Sequence, residues 1–134
     1  MDLSELFSVG MTNQAEFHVE QDQLALHVGS GSLRVLATPW MIAFMERVSH
    51  QLLVQHLPEG YSSVGVLVNV EHLAPTPIGE LVRVKTTIIG LDGWQVWFHV
   101  EAWDEQETIG RGEHRRFVID HERFLKRVAR KAGK

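Results

Sequence analysis

The chain has 134 residues, enough for one domain with a sizeable core. Its 44% hydrophobic and 22% charged residues fit an ordinary globular protein, and a net charge of −4 gives no general attraction for nucleic acid. Without a cysteine, disulfides, thiolate nucleophiles and cysteine-based zinc sites are excluded. The start, MDLSELFSVG, carries acids where a signal peptide needs bases, and no run approaches the ~20 apolar residues of a membrane span. A cytoplasmic protein with no membrane or nucleic-acid partner is expected.

From Met11 the first alternating piece, around Ala15–Val19, predicts an edge strand, followed by an ambiguous continuation through Leu26. His18 and His27 lie there in polar company and predict surface positions. Gly29-Ser30-Gly31-Ser32 is a loop, and no lysine or second glycine motif makes it a phosphate cradle. The best helix signal runs from Leu36 to Leu57. Thr38 is a good N-cap type, Pro39 suits the first helical position, and Pro58-Glu59-Gly60 ends the run. Met41, Met45, Val48 and Leu52 make an apolar stripe, widened by Ile42, Ser49 and Leu53, with Arg47 and Gln51 opposite. Glu46 falls instead beside Ile42, Leu53 and Leu57, at the edge of the apolar arc.

After Gly60 the period changes to two. Val64, Val66, Val68, Val70 and His72 fall on one predicted face, so His72 completes an aliphatic row turned toward the core. Ala74 to Gly79 forces a bend. Leu81–Ile89 is a strand with Val82, Val84, Thr86 and Ile88 inward, and Asp92-Gly93 predicts a type I′ hairpin turn. Trp94–Trp103 returns with Val96, Phe98, Val100 and Ala102 inward. Its other face, Gln95, Trp97, His99, Glu101 and Trp103, is too aromatic for plain solvent and suggests a subunit contact. A last strand spans about Thr108 to Ile119, and the basic tail 121–134 predicts a short helix with a solvated face.

This order of strand, long helix and four strands as an antiparallel meander predicts an α+β single domain over 1–134, with its core from about 11 to 120. A curved sheet of about five strands wrapped around one central helix is the layout of a hotdog fold, whose sheet edges commonly pair in homodimers. The chemistry-bearing residues are then Thr38 at the helix start, Glu46 two turns on, and His72 at the end of the next strand. A hydroxyl, a carboxylate and an imidazole are the parts of acyl transfer. Each also has a structural use: Thr38 as a cap, Glu46 as a rim carboxylate, His72 as a satisfied core histidine. No metal is expected, because His72 has no second histidine or cysteine at ligand spacing.

The segments Leu36-Ala37-Thr38, Phe44-Met45-Glu46, Gly65, Glu71-His72-Leu73-Ala74-Pro75-Thr76-Pro77 and Ile109-Gly110-Arg111-Gly112-Glu113-His114-Arg115-Arg116 resemble the hotdog thioesterases related to fluoroacetyl-CoA thioesterase. The resemblance covers about Leu36 to Ile119. It implies hydrolysis of an acyl-CoA or related thioester, with Thr38, Glu46 and His72 catalytic. Gly65 would let substrate approach the strand, and Arg116 would contact it. Coenzyme A would enter as part of the substrate, with no separate cofactor and with its phosphates near Arg116, Arg115 or the C-terminal lysines. A homodimer is implied, with Trp97 and Trp103 offering a surface for tetramers. In one place the pattern departs: where the fluoroacetyl-specific enzyme has bulky aromatics before the helix, this chain has Gly29-Ser30-Gly31-Ser32, so fluoroacetyl selectivity does not carry over. A hotdog enoyl-CoA hydratase would need an Asp/His pair that the helix lacks, and a non-catalytic acyl-CoA-binding protein would use the same pocket without turnover.

Overall fold

A computed structural model describes residues 1–134. Five strands, β1 (Thr12–His18), β2 (Tyr61–His72), β3 (Leu81–Asp92), β4 (Gln95–Trp103) and β5 (Thr108–Asp120), form one antiparallel sheet around the long helix α2 (Thr38–Val54). A one-turn helix α1 (Ala25–Val28) precedes α2, and α3 (His121–Lys131) ends the chain.

The strand order is β1-β3-β4-β5-β2. The four strands after the helix are therefore not a simple meander: β3, β4 and β5 are, while β2 pairs with β5 at the far edge. The Ala74–Gly79 stretch, with two prolines that cannot extend a ladder, carries the chain across the sheet before β3 begins. The β3–β4 hairpin also differs from expectation. Asp92 pairs with Gln95, so Gly93 and Trp94 form the turn, and Gly93 (φ 60°) alone has positive φ, as a type II′ rather than a type I′ turn requires.

Period two holds along β3 and β4, whose Val82, Val84, Thr86, Ile88, Val96, Phe98, Val100 and Ala102 are all fully buried against α2. It fails in β2. A bulge between Gly65 and Leu67 shifts the register, so Ser63 and Gly65 face inward ahead of it while Val68, Val70 and His72 do so after it. Val64 consequently turns outward, opposite Phe117, against the expected row. Val66 and Val68, in the middle of this edge strand, remain 52% and 42% exposed.

Around α2 the burial is wider than the predicted stripe. Phe44 is fully buried, stacked on Phe17 with centroids 4.3 Å apart, while Ile42 is only half-buried. The buried hydroxyl of Ser49 donates to the Met45 carbonyl or meets Thr86 Oγ1 at 2.8 Å, and Asn13 Nδ2 donates to the Val48 carbonyl. Leu3 and Phe7, each 2% exposed, close one end of the core, which thus extends back beyond residue 11.

Candidate active site

The helix-capping role expected of Thr38 is not the one it takes. Ala37 occupies the N-cap position without a side-chain bond, and its carbonyl accepts from Trp40 and Met41. Thr38 is the first helical residue, and its Oγ1 lies 2.7 Å from His72 Nδ1. Leu36 N–H donates to the Thr76 carbonyl at 2.8 Å, which ties the residues before α2 to the bend after β2 and holds this pair together. The other ring nitrogen, His72 Nε2, is buried with no partner. Burial pushes the His72 pKa below the ordinary imidazole value, opposed by the Ala74 backbone beside the ring, so the ring is neutral at pH 7. A neutral imidazole in contact with a hydroxyl is able to take its proton. The pair opens onto a cleft of about 470 Å³, whose apolar wall includes Val35, Leu36, Ala74 and Pro75. Ser30 of the glycine-serine loop forms part of its rim.

Glu46 belongs to a second cluster. At ~1.5 Å per residue it lies about 12 Å along α2 from Thr38. Its Oε2 is 3.4 Å from Arg116 Nη1, and a Cβ on Gly65 would sit 2.6 Å from the same oxygen. A side chain at Gly65 would therefore compete with the Glu46 carboxylate for the same space. Arg116, only 6% exposed, is held by three further bonds: Nε to Ser63 Oγ (2.8 Å), Nη2 to the Ser63 carbonyl (3.1 Å) and Nη1 to His114 Nε2 (3.1 Å).

These contacts fix protons. Arginine only donates, so His114 Nε2 accepts, and its Nδ1–H donates to the Leu67 carbonyl at 2.8 Å. Ser63 Oγ accepts from Arg116 and has its own proton for His50 Nδ1, 2.7 Å away. Burial is the main cause lowering the pKa of both His50 and His114, with the Arg116 charge adding to it. The cluster is thus one arginine cation, one carboxylate and two neutral imidazoles. Half of Glu46 remains accessible, its side chain being 41% exposed.

Of the residues singled out in the sequence, the structure brings Thr38 to His72, and Glu46 to Gly65 and Arg116. No contact joins the two groups within one chain, and they line different clefts. Of the two arginines expected near the nucleotide's phosphates, Arg116 is buried in the cluster, and the Arg115 guanidinium lies 3.8 Å above the Trp97 ring with its Nε lacking a hydrogen-bond partner. His50 and Ser63 escaped the sequence reading, and His114 stood in the resembling segment beside Arg116 without a role. Two of them had a signal, since His50 is four residues after Glu46 on α2 and His114 alternates with Arg116 on β5.

The sequence matches the model of a family described as fluoroacetyl-CoA-specific thioesterase over residues 19–122. A fluoroacetyl-CoA thioesterase of Streptantibioticus cattleyicolor is 34% identical over 97 residues, 72% of this chain and 70% of that protein. Among solved structures, a hot-dog-like protein from Thermanaerovibrio acidaminovorans superposes with a TM-score of 0.90 at 27% identity, over 98% of this chain and 97% of its own. A single-residue variant of the fluoroacetyl-CoA-specific thioesterase FlK, solved in complex with fluoroacetate and CoA, gives a TM-score of 0.84 at 29% identity, over 88% of this chain and 99% of its own. The α+β architecture is accordingly the hotdog fold anticipated from the element order. With a family match over most of its length and a homologue of that name at this identity, the chain belongs to the fluoroacetyl-CoA-specific thioesterase family.

Proposed function

We propose that the protein hydrolyses an acyl-CoA thioester in a site shared by two copies of the chain, Thr38 and His72 coming from one and Glu46, Gly65 and Arg116 from the other. The observation that carries this reading is the 2.7 Å contact of Thr38 Oγ1 with Nδ1 of a His72 ring whose pKa burial lowers.

The composite arrangement follows from β2. It is an unpaired edge exposing Val66, Leu67 and Val68, a hazard that a second copy would remove. Antiparallel pairing of β2 with itself about its middle sets the His72 end of one strand beside the Tyr61–Gly65 end of the other. The Thr38–His72 pair then faces the partner copy's Glu46 cluster across the seam.

In the proposed reaction Thr38 Oγ1 attacks the thioester carbonyl carbon as its proton passes to His72 Nδ1. The oxyanion is steadied by the positive end of α2, and collapse breaks the C–S bond. The departing thiolate takes the proton from His72, leaving an acyl ester on Thr38. Glu46 then draws a proton from a water molecule that attacks this ester, and that proton is passed to Thr38 Oγ1 as its bond to the acyl carbon breaks, which releases the acid and restores the hydroxyl and the carboxylate. Arg116 and its supporting Ser63 and His114 position the Glu46 carboxylate. Selectivity for the fluoroacetyl group is not carried over, because the rim formed by Ser30 lacks aromatic cover.

The test is free-thiol release from short, branched, aromatic and long-chain acyl-CoAs, with quenched Glu46→Gln protein examined by mass spectrometry. Turnover by the wild type, with an acyl adduct on Thr38 accumulating in the variant, supports the scheme. No turnover of any acyl-CoA removes the hydrolase assignment, and turnover without an adduct replaces the acyl-enzyme by direct attack of water.

A further inference from the structure

The tail of the chain carries a feature that the thioester chemistry leaves unused. Six of the 13 Lys and Arg residues but only one of the 17 acids fall in residues 121–134, so this segment carries +5 while the rest of the chain carries −9. On α3, at ~100° per residue, Phe124, Leu125 and Val128 share one side, Arg123, Lys126, Arg127 and Arg130 share the other, and Lys131 falls beside Phe124. Arg123, Lys126, Arg130 and Lys134 line a groove of about 470 Å³ around the small Ala129 side chain.

These cations are not neutralised from within. Neither of the two ion pairs in the molecule involves α3. Lys126, Arg130 and Lys134 follow one another at four-residue spacing, where like charges destabilise a helix. Arg130 and Lys131 lie in the last turn and complement the helix dipole, but Arg123 and Lys126 stand in its first half, where the dipole opposes them. Elsewhere the positive charges are interleaved with acids or stacked on rings: Lys85 and Arg111 flank Glu101 across the sheet, and the Arg47 guanidinium lies 5.5 Å from the Trp40 ring. The groove is thus a built concentration of cations in an acidic protein. It is also near the chemistry. Asp120, which caps α3, is four residues beyond Arg116 on β5, about 13 Å of strand.

We propose that this groove binds the phosphates of the substrate's coenzyme A, its adenosine 3′-phosphate and 5′-diphosphate, so that α3 gathers the anionic end of the molecule while its thioester reaches the site beyond Arg116. The proposal rests on the acyl-CoA reading above. A polyanionic substrate would otherwise meet a body of net charge −9, in which Arg116 is bonded to Ser63 and His114 and Arg115 is packed on Trp97. Phosphate recognition by a cluster of this kind is salt-dependent and indifferent to the acyl group.

The experiment compares wild type, the triple variant Lys126→Gln/Arg130→Gln/Lys134→Gln and, as a charge control on the outer sheet face, Arg83→Gln/Lys85→Gln. Calorimetric titration with CoA and with pantetheine, which lacks the nucleotide, needs no turnover. The expected result is CoA affinity at least tenfold weaker in the triple variant, with a flatter salt dependence, unchanged in the control, and pantetheine affinity equal in all three. With acyl-CoA as substrate, KM rises by the same factor while kcat holds. Equal CoA affinity in wild type and triple variant overturns the proposal, as does an equal loss for CoA and pantetheine. Vesicles containing phosphatidylserine form a further arm: a triple variant that loses vesicle binding but keeps CoA affinity assigns α3 to anionic membranes and overturns the groove. Wild type that binds CoA through α3 yet hydrolyses no acyl-CoA would sink the hydrolase reading alone, and hydrolysis with an unaltered KM in the triple variant would sink the groove alone.

Discussion

Thr38 and His72 meet although 34 positions separate them, and what each contributes depends on the other's proton. Because burial lowers the His72 pKa, its neutral, proton-accepting form persists to lower pH than in a free imidazole. The acid limb of the pH–rate profile is therefore expected below about 6.5, the unperturbed histidine value, and a limb at or above it would speak against His72 as the base. Removing either partner, as Thr38→Ala or His72→Ala, is expected to lower kcat by about 100-fold or more, the usual scale of a lost proton-transfer partner. Gly65 gives a sharper test of the Glu46 cluster. An added Cβ would meet the end of a flexible side chain, not backbone, so Gly65→Ala is expected to keep its melting temperature within a few degrees while kcat falls because Glu46 is displaced. A large loss of thermal stability would show instead that the position is needed for folding. The residues of this cluster were only partly legible in the sequence. Glu46 stood out by its place on the apolar arc. Ser63 sits in a plain serine pair, and its bonds to Arg116 and His50 depend on a register that no local pattern reveals.

At the level of elements, what could be read followed from how uniformly each was covered. The sheet wraps α2 widely, so the helix was recognised over Leu36–Leu57 and found over Thr38–Val54, and its Met41, Met45, Val48 and Leu52 are all buried. Phe44 lies on the flank opposite Ile42, and only the curl of β1 over that flank explains why it is the more deeply buried of the two. Strands β3 and β4 lie mid-sheet, and their alternation was unambiguous. β2 is an edge with a bulge, so its alternation predicted the wrong face for Val64 and the right one for His72, and its pairing with β5 was hidden by the long excursion to the far side of the sheet. Its exposed residues make the element testable. Val68→Lys would put a charge into the proposed seam between copies. Light scattering is expected to show a monomer, with thiol release lost although Thr38 and His72 are untouched. A Val68→Lys protein that remains dimeric and active would remove β2 as the seam. Phe44→Ala, by contrast, should act through stability, costing about 3–5 kcal/mol in chemical denaturation as deep aromatic truncations do.

Across the whole molecule, acid is the natural stress. His50, His72 and His114 all have folded pKa values below the unfolded one, with burial as the leading cause. The unfolded chain thus binds protons that the folded chain refuses, and stability rises with pH in that window. The contribution is present above about 6.5 and is lost as pH falls below it toward the depressed folded values. Melting temperature is expected to drop between pH 7 and pH 5.5, and less so in His114→Gln; a flat profile would mean that these rings are solvated in the folded state. The charge map adds a second whole-molecule property, since the acidic body and the basic α3 make association between copies or with anions dependent on ionic strength.

The bulge in β2 sets a requirement on chain length. His114 hands its Nδ1 proton to the carbonyl of Leu67, on the far side of the extra residue, and so turns a lone pair toward Arg116. The charge state of the cluster is therefore written partly in the number of residues between Gly65 and Leu67, not in their identity. Val66 is more than half exposed, and its side chain has little to do there. Such a position should accept a substitution such as Val66→Thr with activity retained, yet not survive deletion, which would move Leu67 by one place and turn its carbonyl away from the ring. Related chains would then vary freely in what stands at this position while keeping its count, an insertion preserved as spacing and not as sequence.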